Sequence, residues 1–345
     1  MNKGYILLAV ALGLFVIAYL LWKDFGSYDL SVIRLDGRMA MGIGLAVVCF
    51  ALQNFGMMWR YLSLTRGFLS WGQVFRVNVL CEFTSAVTPS SVGGSSLIFL
   101  YLYKEGMTPG KSTAIMIASL FLDELFLFLC CLLVVCFFPL DTLFGQAAWF
   151  TSSIKWLFFL IVGGVGLWTG VLYVALFHKP HWVKAMLLLL FSLPLLRRWK
   201  DKIAHVADDL VTGSHEIHSL GLRFWGRPFA ATAIAWCSRF AIACALLWAF
   251  AAHGNYLLAY ARQWILWMIS IASPTPGGSG ISEYMFRVYY ADFLPDVGIT
   301  LIVALVWRII TYYTYLVAGV FVVPRWLKGK QKGNTPVQSD AGNRC

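Results

Sequence analysis

Residues 273–286 read SPTPGGSGISEYMF and lie between two apolar runs that are long enough to enter a lipid bilayer. The two prolines and three glycines of this stretch cannot continue a helix, because proline lacks the backbone N–H and glycine loses the most backbone entropy on folding. Hydrocarbon offers no partner for free N–H and C=O groups, so a break at membrane depth is tolerated only inside protein or beside a water-filled cavity. The stretch is therefore a candidate functional site.

Residues 88–96 read TPSSVGGSS and repeat this feature in the first half of the chain. Superposing Gly93–Gly94 on Gly277–Gly278 requires a shift of 184 residues, which also places Glu124 on Arg308. Two breaks at corresponding positions of two halves are the best sequence indication of a transporter's binding site. The alternative is a pair of kinks that serve packing alone.

The composition excludes an ordinary soluble domain. The chain has 345 residues, of which 60% are hydrophobic and 12% charged, and its mean hydropathy is +0.73, which indicates a polytopic membrane protein. The formal net charge of +11 would suit a nucleic-acid partner, but the basic residues concentrate in loops and in the tail, as the positive-inside rule expects. We interpret them as orientation signals and contacts to anionic lipid headgroups, and we expect no nucleic-acid partner.

The cysteines and histidines do not indicate a metal site or a disulfide. No CxxC pair is present, and most cysteines lie in apolar runs, where they are small buried hydrophobes. The histidines lie in or beside loops without metal-ligand spacing, and the sequence contains neither a P-loop nor a nucleophile elbow. We therefore expect no metal, no cofactor and no enzymatic activity.

Run length and loop charge predict an all-α membrane protein with about six transmembrane helices. The predicted spans cover residues 5–22, 40–59, 111–138, 154–177, 228–252 and 297–323. Arg60, Arg66 and Arg76 mark the loop after the second span as cytoplasmic, and the tail is basic as well. The link 139–153 has no Lys or Arg and is expected outside. Both termini are therefore expected in the cytoplasm.

The segments around the two breaks are predicted to be re-entrant hairpins rather than crossings. The arms 74–88 and 95–104 would be about 22 Å and 15 Å long, short of a hydrocarbon core about 30 Å thick. If the arms 257–273 and 281–292 crossed, the basic tail would lie outside, whereas a hairpin that opens from the external side keeps it inside. This arrangement places Arg262 near the external end of the second hairpin.

The two halves thus predict an inverted repeat. The predicted regions are a transmembrane domain at 1–325 with a first repeat at about 40–138 and a second at about 228–323, a cytoplasmic linker at 178–227 with an interfacial helix at 182–196, and a disordered tail at 326–345.

Charged residues also lie in or beside the apolar runs. A charge at mid-span costs about 2.5–3.5 kcal/mol on insertion scales, so these side chains should face the interior, paired or hydrated. One interpretation is that they form salt bridges that lock the two halves together. In the other, Arg239 and Arg308 bind a phosphate bidentately, while Glu82 and Glu283 pair with them in the empty site or hold a cationic headgroup or a proton.

Each break is also followed by a short helix whose first N–H groups are expected to be free and positively polarised, which suits a phosphate or carboxylate. The residues predicted to bind substrate are Glu82, Thr88, Pro89, Gly93, Gly94, Ser95, Asp123, Glu124, Arg239, Pro274, Pro276, Gly277, Gly278, Ser279, Gly280, Glu283, Arg287 and Arg308.

Two regions of the chain resemble the hallmark regions of the lysylphosphatidylglycerol synthase transmembrane-region family, flippase-like integral membrane proteins: TPSSVGG followed by YLYKEGMTPGKSTA, and SPTPGGSGISEYMF followed by ALVWRIITYY. The resemblance covers roughly residues 5–325. It implies a protein of the bacterial plasma membrane whose best-understood relatives move aminoacylated phosphatidylglycerol between leaflets. The residues that match the family's second motif are Pro276, Gly277, Gly278, Gly280, Glu283 and Arg308.

The chain departs from the family in its first half. Many members carry an arginine-containing stretch where this chain has SLFLDELF with Asp123 and Glu124, and charged residues where it has Ser95 and Ser96. The first-half site is therefore expected to prefer a different headgroup. The tRNA-dependent aminoacyl-transfer domain of the two-domain relatives has no counterpart in this sequence, so we do not expect a synthase.

These features predict a flippase or translocase for a phospholipid or a lipid-linked phosphate, with membrane lipids of anionic or zwitterionic headgroup as partners. Two alternatives stay open: a membrane-embedded enzyme that acts on a lipid-linked phosphate or sugar, and a non-transporting partner of an envelope-synthesis enzyme. Self-association into a homo-oligomer is also left open.

Overall fold

The computed structural model describes residues 36–88, 97–144, 148–178, 221–250, 254–271, 277–294 and 297–328, with a few single positions between them. All regular secondary structure in this part of the chain is helical, as predicted. The predicted first span at 5–22, the interfacial helix at 182–196 and the tail after residue 328 lie outside the described residues.

The helices are α1 (Gly37–Leu64), α2 (Trp71–Val87), α3 (Ile98–Lys104), α4 (Pro109–Phe137), α5 (Leu140–Phe144), α6 (Ala148–Tyr173), α7 (Leu222–Phe250), α8 (Tyr256–Ile271), α9 (Ile281–Tyr290), α10 (Val297–Arg308) and α11 (Thr314–Lys328). Short π-helical turns, Val174–His178 and Ile309–Tyr313, follow α6 and α10. Among the described residues, 5 helices are long and apolar enough to cross a membrane: α1, α4, α6, α7 and the continuous helix formed by α10 and α11. They correspond to all the predicted spans except the first.

Local sequence fixes where the helices begin. The Asp36 carboxylate caps α1 by accepting the Met39 N–H at 2.8 Å. The Gln73 side chain caps α2 by accepting the Ser70 N–H at 2.9 Å. Pro109 begins α4, at a position where the missing N–H would have no partner in any case. Polar caps at the ends therefore set the bounds of the long apolar helices.

Small residues bring α1 and α7 close together. A Cβ added at Gly56 would lie 2.7 Å from the Ala235 nitrogen and 2.8 Å from the Ala231 oxygen. One added at Gly42 would lie 3.0 Å from the Ala245 oxygen. Glycine at such positions lets two backbones approach, which is a common basis of helix association in lipid. The first half of the chain is thereby held against the second.

Helices α2 and α3 form a hairpin around the first break. Arg76, near the start of α2, pairs with Glu105, which follows α3, with N–O distances of 3.0 and 2.8 Å. Because this pair joins the beginning of α2 to the end of α3, both ends of the hairpin lie on the same side of the protein. Lys104 donates to the Trp326 carbonyl at 2.6 Å, so the base of this hairpin lies beside the end of α11.

Helices α8 and α9 form the corresponding hairpin around the second break. Arg262, near the start of α8, donates to the Tyr289 carbonyl at 2.6 Å and pairs with Asp292 at 2.7 Å. Its guanidinium also donates to the Thr142 carbonyl of α5 at 2.8 Å. Arg262 is therefore the residue that closes the base of this hairpin and joins it to the link predicted to be external.

The two hairpins meet at their breaks. The Gly277 N–H donates to the Thr88 carbonyl at 3.2 Å, and the Tyr312 hydroxyl donates to the Ala86 carbonyl at 3.2 Å. The two bases lie at opposite ends of α4, a helix of 29 residues that is about 43 Å long. The contacts thus describe two hairpins that face each other tip to tip. Their passage from opposite membrane faces, and the inverted repeat, stay predictions.

The last helix extends beyond its predicted end. The sequence predicts a span that stops at residue 323 and a disordered tail from residue 326, whereas α11 continues to Lys328. The Trp326 ring packs edge-on against Tyr101 with 5.3 Å between centroids, and the Lys104 ammonium lies 4.1 Å from the centre of the same ring. This contact with the first hairpin stabilises the final helical turn.

Gly56→Val should destabilise the protein, because the added side chain meets backbone atoms of α7 that cannot move independently. We expect the free energy of unfolding to fall by about 1–3 kcal/mol, the usual cost of overpacking. Denaturant unfolding in detergent micelles measures this loss.

Gly44→Val is the matched control, since Gly44 lies on the same helix and a Cβ added there has nothing within 4 Å. Equal stability of the two variants would contradict the close approach of α1 and α7.

Candidate functional site

A cavity of about 140 Å³ lies where the two breaks meet. It is bounded by α1, α2, α4, α7 and α8, by the second break, and by the residues around the π-helical turn after α10. The charged residues of its wall, in the part of the chain that the structure describes, are Arg60, Glu82, Asp123, Glu124, Arg239 and Arg308. Burying a charged side chain inside a membrane protein costs free energy unless the charge is paired or hydrated. The partners of these six residues therefore show which of them are held in structural ion pairs and which could bind a ligand.

Arg60 and Asp123 form a buried ion pair between α1 and α4. Trp236 of α7 donates its indole N–H to the same carboxylate at 2.6 Å. Arg60 is only 1% exposed, so the prediction that it is a loop charge that orients the chain is wrong. The pairing with Asp123 offsets the cost of its burial, and the pair ties α1 to α4.

Arg239 of α7 and Glu82 of α2 form a second ion pair, with an N–O distance of 3.0 Å. The Arg239 guanidinium also lies 4.6 Å from the centre of the Trp267 ring, a favourable cation–π arrangement. The Arg239 side chain is 16% exposed, whereas those of Arg308 and Arg60 are 6% and 2% exposed. Of the three cavity arginines, Arg239 is thus the most open to a ligand.

The second break is folded around a third ion pair. Gly277, Gly278 and Gly280 have φ values of +56°, +69° and +88°, a conformation that favours glycine. Arg308 pairs with Glu283 at 2.8 Å and donates to the Gly277 carbonyl at 3.2 Å. The Glu283 carboxylate accepts the Gly280 N–H at 2.7 Å. The pair therefore also satisfies backbone groups that the break leaves free.

The anion site predicted at the start of α9 is already filled by the protein's own carboxylate. Glu283 is 1% exposed and accepts the Gly280 N–H, and the Ser282 N–H donates to the Gly278 carbonyl at 2.9 Å, so the prediction of free N–H groups at this helix start is wrong for these two. Glu283 also lies behind Arg308 rather than on the cavity wall. The sequence suggested Glu283 as a partner for an arginine, a cationic headgroup or a proton, and its role as the cap of its own helix was not predicted.

Close contacts shape the described part of the first break. The Gly94 N–H donates to the Ser85 hydroxyl at 3.1 Å, and a Cβ added at Gly94 would overlap the Cys81 carbonyl oxygen. The Thr88 hydroxyl donates to the Thr84 carbonyl at 2.8 Å. Gly94 and Thr88 therefore hold the break in shape and do not form the cavity wall. Five predicted site residues lie outside the described residues: Pro89, Gly93, Ser95, Pro274 and Pro276.

The structure places the other predicted residues in three groups. On the cavity wall lie Glu82, Asp123, Glu124, Arg239, Gly277, Gly278 and Arg308. Behind the wall, within the second break and the first turn of α9, lie Ser279, Gly280 and Glu283. Arg287 lies in the last turn of α9, away from the cavity. Substrate binding by any of these residues stays a prediction.

Sequence reasoning missed the aromatic and amide residues of the site. Trp236 and Trp267 lie with their ring centres 5.5 and 4.6 Å from the Arg239 guanidinium carbon. Asn78 of α2 lies on the wall and donates its side-chain amide to the Asn54 side chain of α1 at 2.7 Å. Asn78 could have been found, because an amide inside an apolar segment needs an internal partner. The tryptophans carry no such signal, since aromatic residues occur throughout the apolar runs.

Arg60→Met should destabilise the protein strongly, because it leaves the Asp123 carboxylate buried without its cation. We expect the free energy of unfolding in detergent to fall by about 3–5 kcal/mol, and the double variant Arg60→Met/Asp123→Leu to lose less. Lys155→Gln is the control: it removes one partner of the exposed ion pair with Asp141 and should cost about 1 kcal/mol or less. Additive losses in the double variant would contradict a strong interaction between the two side chains.

Comparison with known proteins agrees with the sequence motifs. The model of the family described as "Lysylphosphatidylglycerol synthase TM region" matches residues 6–319. A UPF0104 membrane protein of Archaeoglobus fulgidus is 27% identical over 297 residues, which cover 81% of this chain and 85% of that protein. The resemblance that the two break motifs indicate is thereby confirmed. The chain belongs to the lysylphosphatidylglycerol synthase TM region family of multi-pass membrane proteins.

Proposed function

We propose that the protein moves a phosphate-bearing lipid between the two leaflets of its membrane, with the headgroup passing through the central cavity. The observation that carries this proposal is the meeting of two interrupted helical hairpins beside three arginines of the cavity wall. Polar backbone and cations inside a membrane protein offer a path for a charged headgroup while the acyl chains stay in lipid. The family description refers to lysylphosphatidylglycerol, which supports a lipid substrate.

Arg239 is the residue that we expect to receive the phosphate. Its only ion pair within the described residues is with Glu82, and its side chain is the most exposed of the cavity arginines. A phosphate that replaces the Glu82 carboxylate exchanges one anion for another, so the guanidinium keeps a charged partner throughout. The aromatic rings beside it would stay in contact with the cation during this exchange.

The other two arginines are expected to hold the site together. Arg308 binds both Glu283 and the carbonyl of Gly277, so its removal would free a carboxylate and a backbone group at once. Arg60 is buried against Asp123. Both lie on the cavity wall and add positive potential there, but a ligand would have to break several bonds to engage either one.

Movement of the headgroup requires the cavity to open to each side in turn. The two hairpin tips are joined by the hydrogen bond from Gly277 to Thr88 and by Tyr312, which reaches from the last span to Ala86. These are hydrogen bonds between neutral groups, whereas an ion pair closes each hairpin base. We therefore expect one hairpin to rock against the other at the tips while both bases stay closed.

Reconstituted vesicles test the proposal directly. The full chain is placed in vesicles that contain a trace of phosphatidylglycerol or phosphatidylethanolamine with a nitrobenzoxadiazole-labelled acyl chain. Dithionite bleaches only the label in the outer leaflet, so the loss of protected fluorescence reports movement. We expect bleaching of the inner pool to be faster than in protein-free vesicles. A chemically altered lipid in the mass spectrum would favour the enzyme alternative, and no movement of either lipid would contradict transport.

Arg239→Gln should slow this movement about tenfold or more, because a hydrogen bond to a charged group contributes about 1.5–3 kcal/mol and about 1.4 kcal/mol corresponds to a factor of ten. Arg223→Gln is the matched control, since it makes the same change on the same helix at an exposed position outside the cavity. Gel filtration shows whether both variants are folded. If Arg239→Gln moved lipid at the wild-type rate, the assignment of Arg239 to the binding site would be wrong.

A further inference from the structure

The cavity has one more acid than its arginines can neutralise. Each cavity arginine is paired with a carboxylate of its own. Glu124 also lies on the wall, but it forms neither an ion pair nor a hydrogen bond in the described residues, and its Oε2 atom is buried without a partner. An ionised Glu124 would therefore leave the cavity with an uncompensated negative charge, which is costly away from water.

The other groups facing the cavity do not supply the missing cation. The charged and titratable side chains that share the wall with Glu124 are Arg60 and Tyr61 of α1, Cys81 and Glu82 of α2, Asp123 of α4 itself, Arg239 of α7, Arg308 of α10, Tyr312 of the π-helical turn and Tyr315 of α11. The arginines in this set are engaged with other acids, and the remaining groups are neutral or acidic. Within the part of the chain that the structure describes, no cation on the cavity wall is left to balance Glu124.

A proton fits this site better than a metal ion. Hard metal cations take several oxygen ligands, and no group of three or more His, Cys, Asp or Glu side chains that could hold a metal occurs in the described part of the chain. A proton needs a single carboxylate oxygen. Asp123, the adjacent acid, differs from Glu124 because Arg60 and Trp236 both donate to it.

We propose that Glu124 binds a proton together with the phosphate-bearing headgroup, so that the two travel in the same direction. This inference rests on the proposed transport function. A phosphate adds negative charge to the cavity that Glu124 lines, and it is repelled if that side chain is ionised but not if it is protonated. By linkage, the bound proton favours the phosphate and the bound phosphate favours the proton to the same extent.

The pH dependence of lipid movement tests this coupling. With equal pH on both sides of the vesicle, the wild-type rate should fall as pH rises, by up to about tenfold per pH unit, because one proton is bound per headgroup. Glu124→Gln keeps the shape of the protonated acid without its proton exchange, so it should move lipid at a rate that does not vary with pH. An imposed pH gradient should drive net accumulation in the wild type and none in this variant.

Asp141→Asn is the matched control, because it removes an exposed carboxylate outside the cavity and should keep the wild-type pH profile. A wild-type rate that is independent of pH, or one that follows sodium instead, would overturn the proposal. A pH dependence that persists unchanged in Glu124→Gln would overturn it as well.

Infrared spectroscopy of the full chain in detergent measures the proton without transport. The wild type should show a carbonyl stretching band of a protonated carboxyl group that disappears as pH rises, and Glu124→Gln should lack it. If the wild type moves no lipid but shows the band, the transport proposal fails and Glu124 stays a proton site. If both proteins show the same band, the assignment of the proton to Glu124 fails whatever the transport result.

Discussion

Polar groups inside hydrocarbon must find their partners within the protein, and this requirement joins the breaks to the buried charges. The second break shows how: Arg308 donates to the Gly277 carbonyl while its partner Glu283 accepts the Gly280 N–H. The backbone groups that the glycines leave free are thus satisfied by the two members of an ion pair, and the ion pair is held by the backbone. The first and second breaks then share a further hydrogen bond, from Gly277 to Thr88. The conformation of each break therefore depends on its contact with the other.

The two interpretations of the buried charges, as locks between halves and as ligands for a headgroup, apply to different pairs. Arg60–Asp123 and Arg308–Glu283 have additional bonds, to an indole N–H in one case and to backbone in the other. These two pairs suit a structural role, in which each holds two helices together. Arg239–Glu82 is more open and has aromatic rings rather than hydrogen-bonding groups around its cation. A site that combines two fixed pairs with an exchangeable one can bind an anion without losing its shape.

Run length and polarity were sufficient to predict the spans that the structure describes and the break before α9, because both depend on the energy of each residue in hydrocarbon. They were not sufficient to predict partners. Arg60 lies at the end of an apolar run and is indistinguishable from a loop charge until α4 packs beside it and presents Asp123. Glu283 caps its own helix, a local possibility that its pairing with a distant arginine obscured. Arg262 shows the reverse case: its predicted place at one end of the second hairpin agrees with the contacts that close that base.

The count of charges also bears on the kind of headgroup. With Glu124 protonated, the empty cavity is neutral, because each arginine has one carboxylate. A phosphodiester that takes Glu82's place on Arg239 adds one negative charge and leaves the Glu82 carboxylate without its partner. A headgroup that carries an amine as well as a phosphate supplies the cation that Glu82 then lacks, and the loaded cavity is neutral again. A purely anionic headgroup leaves one uncompensated charge away from water, at a cost that rises as the dielectric constant falls. On the proposed transport function, the electrostatics of the site would therefore favour zwitterionic over anionic lipids among the headgroups that the sequence admits.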